Sequence, residues 1–283
     1  MIPVIRSARR MAHLASRLRR QGKRVGVVPT MGALHEGHAS LIRAAAAQND
    51  VVIVTIFVNP LQFGPREDFS RYPRRLTRDV RCAASAGADC VFAPGVSEIY
   101  PPGFQTHVAP GPVADRWEGK TRPGHFRGVA TVVAILFELT RPTDAYFGRK
   151  DYQQALLIAR LIRDLRLPIR MRVLPTVREP NGLAMSSRNA ALSPAQRAQA
   201  AVLYAALRLV RARIRAGARR AAPLLKEARA LIAARPLARL DYLAIVDADT
   251  LEPVRRLRGR LVVLVAAWVG RTRLIDNILV DVS

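Results

Sequence analysis

Residues 25–38 read Val-Gly-Val-Val-Pro-Thr-Met-Gly-Ala-Leu-His-Glu-Gly-His, and this stretch decides the fold. Its apolar start is typical of a buried strand, and its paired histidines stand at a predicted helix start. The glycines of this stretch let backbone N–H groups approach an anion closely, and a helix N-terminus adds unpaired donors with a partial positive charge. The stretch therefore predicts a cradle for the phosphates of a nucleotide.

The two histidines of this stretch, His35 and His38, are spaced i, i+3 and share one face of the predicted helix. Two imidazoles facing a phosphate cradle favour stabilisation of charge on a transferring phosphorus. Either histidine taken alone is more often a packed or surface residue. Zinc ligation is disfavoured, because the zincin pattern needs histidines four apart and a third ligand, and Cys82 and Cys90 lie far away in sequence.

Strand-like and helix-like segments alternate over the first 175 residues of the chain. This βαβ pattern predicts an α/β fold with a Rossmann-like, doubly wound parallel sheet, in which ligands bind outside the carboxyl ends of the strands. The predicted strands are 24–28, 50–58, 89–93, 144–147 and 169–177, and the predicted helices are 38–48, 75–86, 129–140 and 151–165.

The character of the sequence changes after about residue 178. Residues 178–192 are polar and contain Pro and Gly, which indicates a hinge or lid. Two helices (194–216 and 222–234) and three strands (240–247, 261–269 and 274–282) are predicted to follow. We therefore expect a Rossmann-like domain at 1–177 and a smaller C-terminal α+β lid domain at 178–283.

The composition indicates a globular protein, since 50% of the 283 residues are hydrophobic. The N-terminal segment lacks the apolar core of a secretory signal, and the longest apolar run, 261–269, is too short to span a bilayer. The two cysteines do not make a disulfide framework. We expect a cytoplasmic protein without a membrane partner.

The net charge of +25 invites a nucleic-acid hypothesis. However, aromatic residues are only 6% of the chain and are not interleaved with the basic residues as a stacking platform requires. In the most basic region, 197–235, the arginines 208, 211 and 215 lie on one helix face and apolar residues on another. That pattern indicates a solvated amphipathic helix, and we expect no specific nucleic-acid partner.

Four segments carry a family resemblance when taken together. They are PTMGALHEGH (29–38), IFVNPLQFGPREDFSRYPR (56–74), YFGRKDYQQ (146–154) and GLAMSSRN (182–189). They resemble the pantothenate synthetase (pantoate–β-alanine ligase) family, and so does VAAWVGRTRLIDNILV at 265–280. The family belongs to a wider His-x-Gly-His class that includes cytidylyltransferases and class I aminoacyl-tRNA synthetases.

The resemblance implies a two-step reaction. ATP, accompanied by Mg²⁺, adenylates the carboxylate of (R)-pantoate and releases pyrophosphate, and the amine of β-alanine then displaces AMP to give pantothenate. The resemblance also implies a homodimer and a mobile C-terminal domain that covers the site.

The same resemblance implies which residues contact ATP. His35 and His38 would touch its phosphates, with His38 as the candidate for the catalytic acid. Positive and polar groups are needed at the leaving pyrophosphate, and Lys150 with the 186–188 segment can supply them, although a surface lysine and an ordinary turn are the plain alternatives. The residues expected to line the nucleotide or bind its phosphates are Met31, Gly32, Gly37, Gly148, Asp151, Val177, Met185, Ser186, Ser187 and Arg188.

Pantoate needs a different lining. Gln62 and Gln154 are neutral donor–acceptors suited to hydroxyl groups and to a carboxylate that must stay nucleophilic, whereas an arginine would hold that carboxylate but dampen its attack. The other residues expected near the small substrates, most of them core residues as well, are Pro29, Met31, Phe57, Asn59, Tyr72, Val132 and Val133.

Three positions depart from the family pattern: Arg149 replaces a usual acid, and Ile135 and Glu138 replace a usual Lys and Asn. Asp79 and Asp151 are the candidate metal ligands, and the metal site stays unknown from sequence. Two alternative functions remain. One is another His-x-Gly-His nucleotidyltransferase, which has no reason to carry the paired glutamines, and the other is a basic nucleic-acid-binding protein.

Overall fold

The computed structural model describes residues 2–65, 69–70 and 72–282. Arg66, Glu67, Asp68 and Arg71, which belong to the family-like segment at 56–74, lie outside the described residues. Contacts between residues divide the chain into two compact units, Met1–Arg149 with Gln153–Pro175 and Lys150–Tyr152 with Thr176–Ser283. The domain boundary expected at residues 177 and 178 stays a prediction.

In the first unit, the described residues form a six-stranded sheet. Its strands are β1 (Val4–Ile5), β2 (Val25–Thr30), β3 (Val51–Ile56), β4 (Cys90–Phe92), β5 (Asp144–Gly148) and β6 (Arg170–Leu174). The strands run in the order β1-β4-β3-β2-β5-β6, and every recorded pairing between them is parallel. The predicted doubly wound parallel sheet is therefore confirmed.

Helices separate these strands along the chain. The α-helices are α1 (Ala8–Arg20), α2 (Glu36–Ala46), α3 (Leu76–Ser85), α4 (Val96–Ile99), α5 (Glu118–Thr121), α6 (His125–Thr140) and α7 (Tyr152–Asp164). Short 3₁₀ helices span Pro60–Gln62, Pro112–Asp115 and Arg149–Asp151.

Helices cover both faces of this sheet. Val27 and Ile53 are fully buried in a core cluster that includes residues of α1, α6 and α7. Val28 and Val54 are fully buried in a second cluster with residues of α2 and α3. Since successive side chains of a strand point to opposite faces, strands buried on both faces are apolar throughout, as the sequence of β3 predicted.

Strand β2 lies between β3 and β5, although β5 comes much later in the sequence. The chain steps from β2 to β3 and β4 on one side, and then to β5 and β6 on the other. The strand order therefore reverses beside β2, and in open α/β sheets such a switch point leaves a crevice at the carboxyl ends of the strands. The His35–His38 segment directly follows β2 at that edge.

The second unit contains an antiparallel sheet and three α-helices within its described residues. The strands are β7 (Ala238–Asp247), β8 (Gly259–Val269) and β9 (Thr272–Val282), in that order, and the helices are α8 (Pro194–Ala200), α9 (Val202–Arg215) and α10 (Ala221–Ala233). A 3₁₀ helix spans Ser187–Ala191. This α+β architecture was predicted.

Helix α9 has the two faces that its sequence predicted. Leu203, Leu207 and Val210 are at most 1% exposed, whereas Arg208 and Arg215 are exposed. Among the described residues, no helix is both long and apolar enough to cross a membrane.

The structure differs from the sequence prediction in several elements, and the short β1, α4 and α5 were not predicted. The helix expected at 194–216 divides at Ala201, whose φ of −58° and ψ of −19° mark one tightened residue between α8 and α9. Helix α6 begins at His125 instead of residue 129, because Gly124 adopts a φ of +81° and ends the preceding turn. Helix α1 was missed, since its many arginines obscure an apolar stripe of Met11, Ala15 and Leu18.

Candidate active site

The loop after β2 is held by a glycine turn and by the hydroxyl of Thr30. Gly32 has a φ of +86°, and a Cβ there would lie 3.0 Å from Asp79 Oδ2 and 3.2 Å from Ile56 Cγ2. The Gly32 N–H donates to Thr30 Oγ1 at 3.2 Å, and that hydroxyl donates to Thr55 O at 2.6 Å. Only a residue without a side chain fits this turn.

Asp79 of α3 fixes the same loop from outside. Its Oδ2 accepts the Ala33 N–H at 2.9 Å, its Oδ1 accepts the Leu34 N–H at 2.8 Å, and the residue is 2% exposed. Ala33 has a φ of +51°, a conformation that non-glycine residues seldom adopt without support. The carboxylate therefore positions the residues that lead into His35.

The side chains of the two histidines cap the N-terminus of α2 and lie against each other. His35 is the N-cap, and its Nδ1 accepts the Gly37 N–H at 3.1 Å. His38 Nδ1 accepts the His35 N–H at 3.3 Å, and the ring centroids are 4.1 Å apart. Because Nδ1 accepts in both rings, the proton of each neutral imidazole lies on Nε2, which makes Nε2 the donor.

Gln62 lies in a buried polar cluster at the end of the Pro60–Gln62 turn. Its Nε2 donates to Met31 Sδ at 2.9 Å, and its Oε1 accepts from Asn59 Nδ2 at 3.1 Å. A thioether sulfur is a weak acceptor, so the Gln62 amide keeps the capacity to bind a stronger partner. Met31, which the sequence placed in both substrate linings, contacts Gln62 directly.

Asn59 hydrogen-bonds to the Gln62 side chain and is only 1% exposed. Its Nδ2 also donates to Gly128 O at 3.1 Å, and its Oδ1 accepts from Tyr100 Oη at 2.7 Å. Burial raises the pKa of Tyr100, so its hydroxyl stays a donor. Every polar atom of the Asn59 side chain is thus engaged, which fits a residue that positions Gln62.

Gly128 lets α6 approach the same turn. A Cβ at Gly128 would lie 2.2 Å from Leu61 O and 2.7 Å from Gln62 N. His125 Nδ1 also lies 2.8 Å from Gln62 O. Helix α6 therefore fixes the backbone of Gln62 as well as contributing to the core.

The apolar residues expected near the substrate lie in the core of this unit. Phe57 follows β3, Val132 and Val133 lie on α6, and all three are at most 5% exposed in one cluster. Tyr72 is 6% exposed and packs edge-on against Phe63 at 5.9 Å, outside that cluster. Pro29 lies in β2, opposite Thr55 of β3.

Gly148 and Gln154 belong to this unit as well. Gly148 is the last residue of β5 and pairs with Leu174. Gln154 lies in the first turn of α7 and is partly buried. Gly148 thus lies at the carboxyl end of the strand next to β2, where the sequence predicted it.

In the second unit, Lys150 is fixed through its backbone. Asn277 Nδ2 of β9 donates to Lys150 O at 2.8 Å. The ammonium of Lys150 lies 3.3 Å from Asp151 Oδ1, and 21% of the lysine side chain is exposed. Tyr152 Oη donates to Ala248 O at 2.9 Å and anchors the next turn.

The segment that carries Ser186 to Arg188 follows a braced hairpin. Val177 O accepts the Met185 N–H at 3.0 Å, and Arg178 pairs with Ala184 in an isolated bridge. Arg178 Nη1 and Nη2 bind Asp276 Oδ2 and Oδ1 at 2.6 and 2.9 Å. Burial raises the pKa of Asp276, and the ion pair with Arg178 opposes that rise.

The segment itself is capped from within. Ser186 is the N-cap of the Ser187–Ala191 turn, and its Oγ accepts the Arg188 N–H at 3.2 Å. Asn189 is 3% exposed, and its Nδ2 donates to Glu179 Oε1 at 2.8 Å and to Ala184 O at 3.1 Å. The cap and the buried amide give Met185 to Arg188 a defined backbone.

The three departures from the family pattern have ordinary surroundings. Ile135 packs against the first core cluster, and Glu138 Oε1 lies 3.0 Å from Arg141 Nη2 on an exposed helix face. Arg149 is partly buried at the start of its 3₁₀ turn.

No cluster of three or more His, Cys, Asp or Glu placed to hold a metal ion occurs within the described part of the chain. Asp79 uses both oxygens on the loop backbone, as described above. Asp151 has 47% of its side chain exposed and pairs with Lys150.

Sequence reasoning gave no role to Tyr100 and Gly128 in the first unit, or to Asp276 and Asn277 in the second. Tyr100, Gly128 and Asp276 each act through a partner far away along the chain. Tyr100 and Gly128 left no local signal, whereas Asp276 stood within the family-like segment at 265–280. For Asp79, proposed only as a metal candidate, the structure reveals a positioning contact.

The fold and the loop define the class: an α/β protein whose β2–α2–β3 crossover carries a His-x-Gly-His segment at a helix N-terminus beside the switch point of the sheet. Residues 3–279 match the family model described as pantoate-beta-alanine ligase. The pantothenate synthetases of Moorella thermoacetica and Roseiflexus castenholzii are 55% identical over 265 residues and 56% identical over 257 residues. These alignments cover 94% of each chain for the first relative, and 91% of this chain and 92% of that one for the second.

Two solved structures are also similar to this chain over nearly its whole length. The pantothenate synthetase of Thermus thermophilus superimposes with a TM-score of 0.92 at 47% identity, covering 98% of this chain and 99% of that one. The pantoate-beta-alanine ligase of Francisella tularensis, complexed with beta-gamma ATP and beta-alanine, gives a TM-score of 0.81 at 36% identity, covering 99% and 98%. The chain belongs to the pantoate–β-alanine ligase family, and it is an enzyme of that family.

Proposed function

We propose that this enzyme condenses (R)-pantoate with β-alanine at the expense of ATP, through a pantoyl-adenylate intermediate, and releases AMP and pyrophosphate. The observation that carries the proposal is the loop between β2 and α2, where the rings of His35 and His38 stand at the positive N-terminus of α2 with Nε2 as their donor atom. Such a loop suits the phosphates of ATP.

In the first step, a carboxylate oxygen of pantoate attacks the α-phosphorus of ATP. The bond from that phosphorus to the bridging oxygen breaks, and pyrophosphate leaves with the electron pair. Negative charge grows on the phosphoryl oxygens and on the leaving group, so fixed donors near them lower the barrier. His38, expected from the sequence as the catalytic acid, is in this neutral form our candidate for the hydrogen-bond donor that stabilises this charge through Nε2–H, and His35 supports it.

Cationic and hydroxyl groups suit the leaving pyrophosphate. Lys150 contributes an ammonium group, Arg188 a guanidinium group, and Ser186 and Ser187 contribute hydroxyls. The residues proposed to line the remaining nucleotide surface are Met31, Gly32, Gly37, Gly148, Asp151, Val177 and Met185.

Pantoate is proposed to bind through the two glutamines. Gln62 has an amide held by Asn59 and only weakly engaged with Met31, so a hydroxyl or carboxylate oxygen of pantoate can replace the sulfur as its acceptor. Gln154 supplies the second amide, and Phe57, Val132 and Val133 suit the gem-dimethyl group. A neutral amide leaves the carboxylate nucleophilic.

In the second step, the amine nitrogen of β-alanine attacks the acyl carbon of pantoyl adenylate. A carbon–nitrogen bond forms, the bond from that carbon to the phosphate oxygen breaks, and AMP leaves. The nitrogen then loses a proton. No triphosphate takes part in this step, so the groups assigned to pyrophosphate are needed only in the first.

Magnesium, when bound with ATP, neutralises phosphate charge and polarises the reacting phosphorus. Mg²⁺ commonly keeps several waters and binds one or two carboxylates together with substrate phosphates. Asp151 is the carboxylate that suits this role here.

We also expect a homodimer, which light scattering coupled to gel filtration tests directly.

Pyrophosphate exchange tests the proposal. With ATP, Mg²⁺ and labelled pyrophosphate, the enzyme should incorporate label into ATP only when pantoate is present, and without β-alanine. Exchange that is independent of pantoate would point to a different nucleotidyltransferase. No exchange with or without pantoate, together with tight binding to nucleic acid, would favour the nucleic-acid-binding alternative.

A further inference from the structure

Strand β9 carries two consecutive buried polar residues in its middle. Asp276 is 4% exposed and Asn277 is 3% exposed, in a strand whose neighbours Ile275 and Ile278 are apolar. Adjacent side chains of a strand point to opposite faces of the sheet. A buried polar group costs stability unless it is hydrogen-bonded, so two of them in succession require specific partners.

Asp276 binds the base of the hairpin that leads to Ser186. Its two oxygens accept a bidentate pair from Arg178 at 2.6 and 2.9 Å. The Arg178 guanidinium also donates to Gly182 O at 3.0 Å and stacks over the Tyr204 ring at 3.6 Å. Such a planar, bidentate and stacked arginine is locked in one geometry.

Asn277 binds the other cationic element of the same unit. Its Nδ2 donates to Lys150 O at 2.8 Å, and its own carbonyl lies 3.5 Å from Arg178 Nη2. The contact is to the lysine backbone, so it leaves the ammonium available to act while it fixes the point from which that side chain extends.

We propose that Asp276 and Asn277 are positioning residues for the leaving pyrophosphate: together they hold Lys150 and the Ser186–Arg188 segment in one frame. This inference rests on the proposed function, which assigns both elements to the triphosphate. Catalysis by fixed charges depends on placement, and a misplacement of about 1 Å can cost roughly 10²-fold in rate. Neither residue needs to touch the substrate.

The two half-reactions separate this role from a purely structural one. In Asn277→Ala, we expect the pantoate-dependent pyrophosphate exchange rate to fall about 10- to 100-fold. The reaction of chemically prepared pantoyl adenylate with β-alanine should stay within about twofold of wild type, because it involves no triphosphate. Ile278→Val, a small change at the next buried position, is the matched control and should lower neither rate.

A double-mutant cycle provides the second readout. If Asn277 acts through Lys150, Asn277→Ala should cost much less in a Lys150→Ala background than in wild type, because contacting sites are not additive. Asp276→Asn, which retains the shape of the side chain, should likewise slow only the exchange reaction. It also provides a second variant if Asn277→Ala folds poorly.

Two results would overturn the inference. One is an Asn277→Ala enzyme whose exchange rate equals that of wild type, and the other is an equal loss in both half-reactions with additive costs in the cycle. If wild type itself shows no pantoate-dependent exchange, the proposed function fails instead, so the two failures are distinguishable.

Discussion

His35 and His38 each accept a backbone N–H through Nδ1, so that the two imidazoles cap the N-terminus of α2 with their rings 4.1 Å apart. The cap and the proposed chemistry therefore use different nitrogens of the same ring. Local hydrogen bonding fixes the tautomer, and the Nε2–H that results is the donor assigned to the proposed reaction.

Because the cap and the proposed chemistry use different nitrogens, two substitutions of His38 should have different outcomes. His38→Ala removes both the acceptor of the His35 N–H and the Nε2–H donor, and we expect adenylation to slow by about 10²–10⁴-fold with some loss of stability. His38→Gln retains an acceptor for the His35 N–H, as in a capping box, and should slow adenylation by a similar factor while its thermal midpoint stays near wild type. Pyrophosphate exchange and thermal unfolding measure the two effects, and a His38→Gln enzyme within a few-fold of wild type would exclude a specific role for the His38 imidazole in adenylation.

The glutamines predict selective effects on one substrate. Gln62→Ala and Gln154→Ala should each leave polar groups of pantoate unpaired, which costs about 1–3 kcal/mol. That is roughly ten- to a hundredfold in affinity or rate, since about 1.4 kcal/mol is tenfold. Separate titrations of ATP and pantoate should place the loss on pantoate, and a collapse of ATP binding with intact pantoate binding would show that the assignment is wrong.

Local sequence determined much of this molecule, and its limits have a physical cause. The apolar runs of β2 and β3, the glycine turn and the helix start at His35 are all set by nearby residues. The partners of that turn are not, because Asp79 reaches Ala33 across 46 positions and Tyr100 reaches Asn59 across 41. Such contacts exist only once the sheet has formed, so no periodicity or spacing in the sequence predicts them.

Helix α1 illustrates a different limit. Its buried stripe of Met11, Ala15 and Leu18 is spaced correctly for a helix, but the residues between are dominated by arginine. In a chain with a net charge of +25, arginines occur in strands, loops and helices alike, so they carry little information about local structure. The N-cap Ser7 was the signal that marked this helix start.

Asp79 predicts a loop defect that leaves the remainder of the sheet intact. Asp79→Asn replaces one acceptor oxygen by an NH₂ group that faces a backbone N–H, so one of the bonds to Ala33 or Leu34 is lost. We expect the KM for ATP to rise because the loop that leads to His35 loses one of its two bonds to Asp79, and the free energy of unfolding to fall by roughly 1.5–3 kcal/mol.

Asp89 provides the matched control for that change. Its Oδ2 also accepts a strand N–H, from Val52 at 2.7 Å, but it does so at the opposite end of β3. Asp89→Asn should lower stability by a comparable amount without raising the KM for ATP. Equal KM values in the two variants would contradict a positioning role for Asp79.

Asp144 predicts how the stability of the first unit depends on pH. It is fully buried at the start of β5, with Arg170 and Arg172 at 2.9 and 3.1 Å and Arg24 at 3.5 Å. Burial alone would raise its pKa, but the hydrogen bonds and charges of Arg170 and Arg172 outweigh burial and lower it. A carboxyl whose pKa is lower in the folded than in the unfolded state stabilises the fold above its unfolded pKa of about 3.9, and that contribution is lost as the pH falls through the folded value.

Asp144→Asn should therefore destabilise the first unit by about 1–2 kcal/mol at pH 7, a modest figure because the three guanidinium groups are partly exposed. The difference from wild type should shrink steadily below about pH 4, where the wild-type carboxyl begins to take up a proton. Denaturant unfolding followed by Trp117 fluorescence in a Trp268→Phe background reports on this unit alone, since the chain has 2 tryptophans. Asp164→Asn, which removes the acid of an exposed pair with Arg163, should change almost nothing at either pH. A stability difference for Asp144→Asn that stayed constant from pH 7 to pH 3 would show that the ion pairs are not its cause.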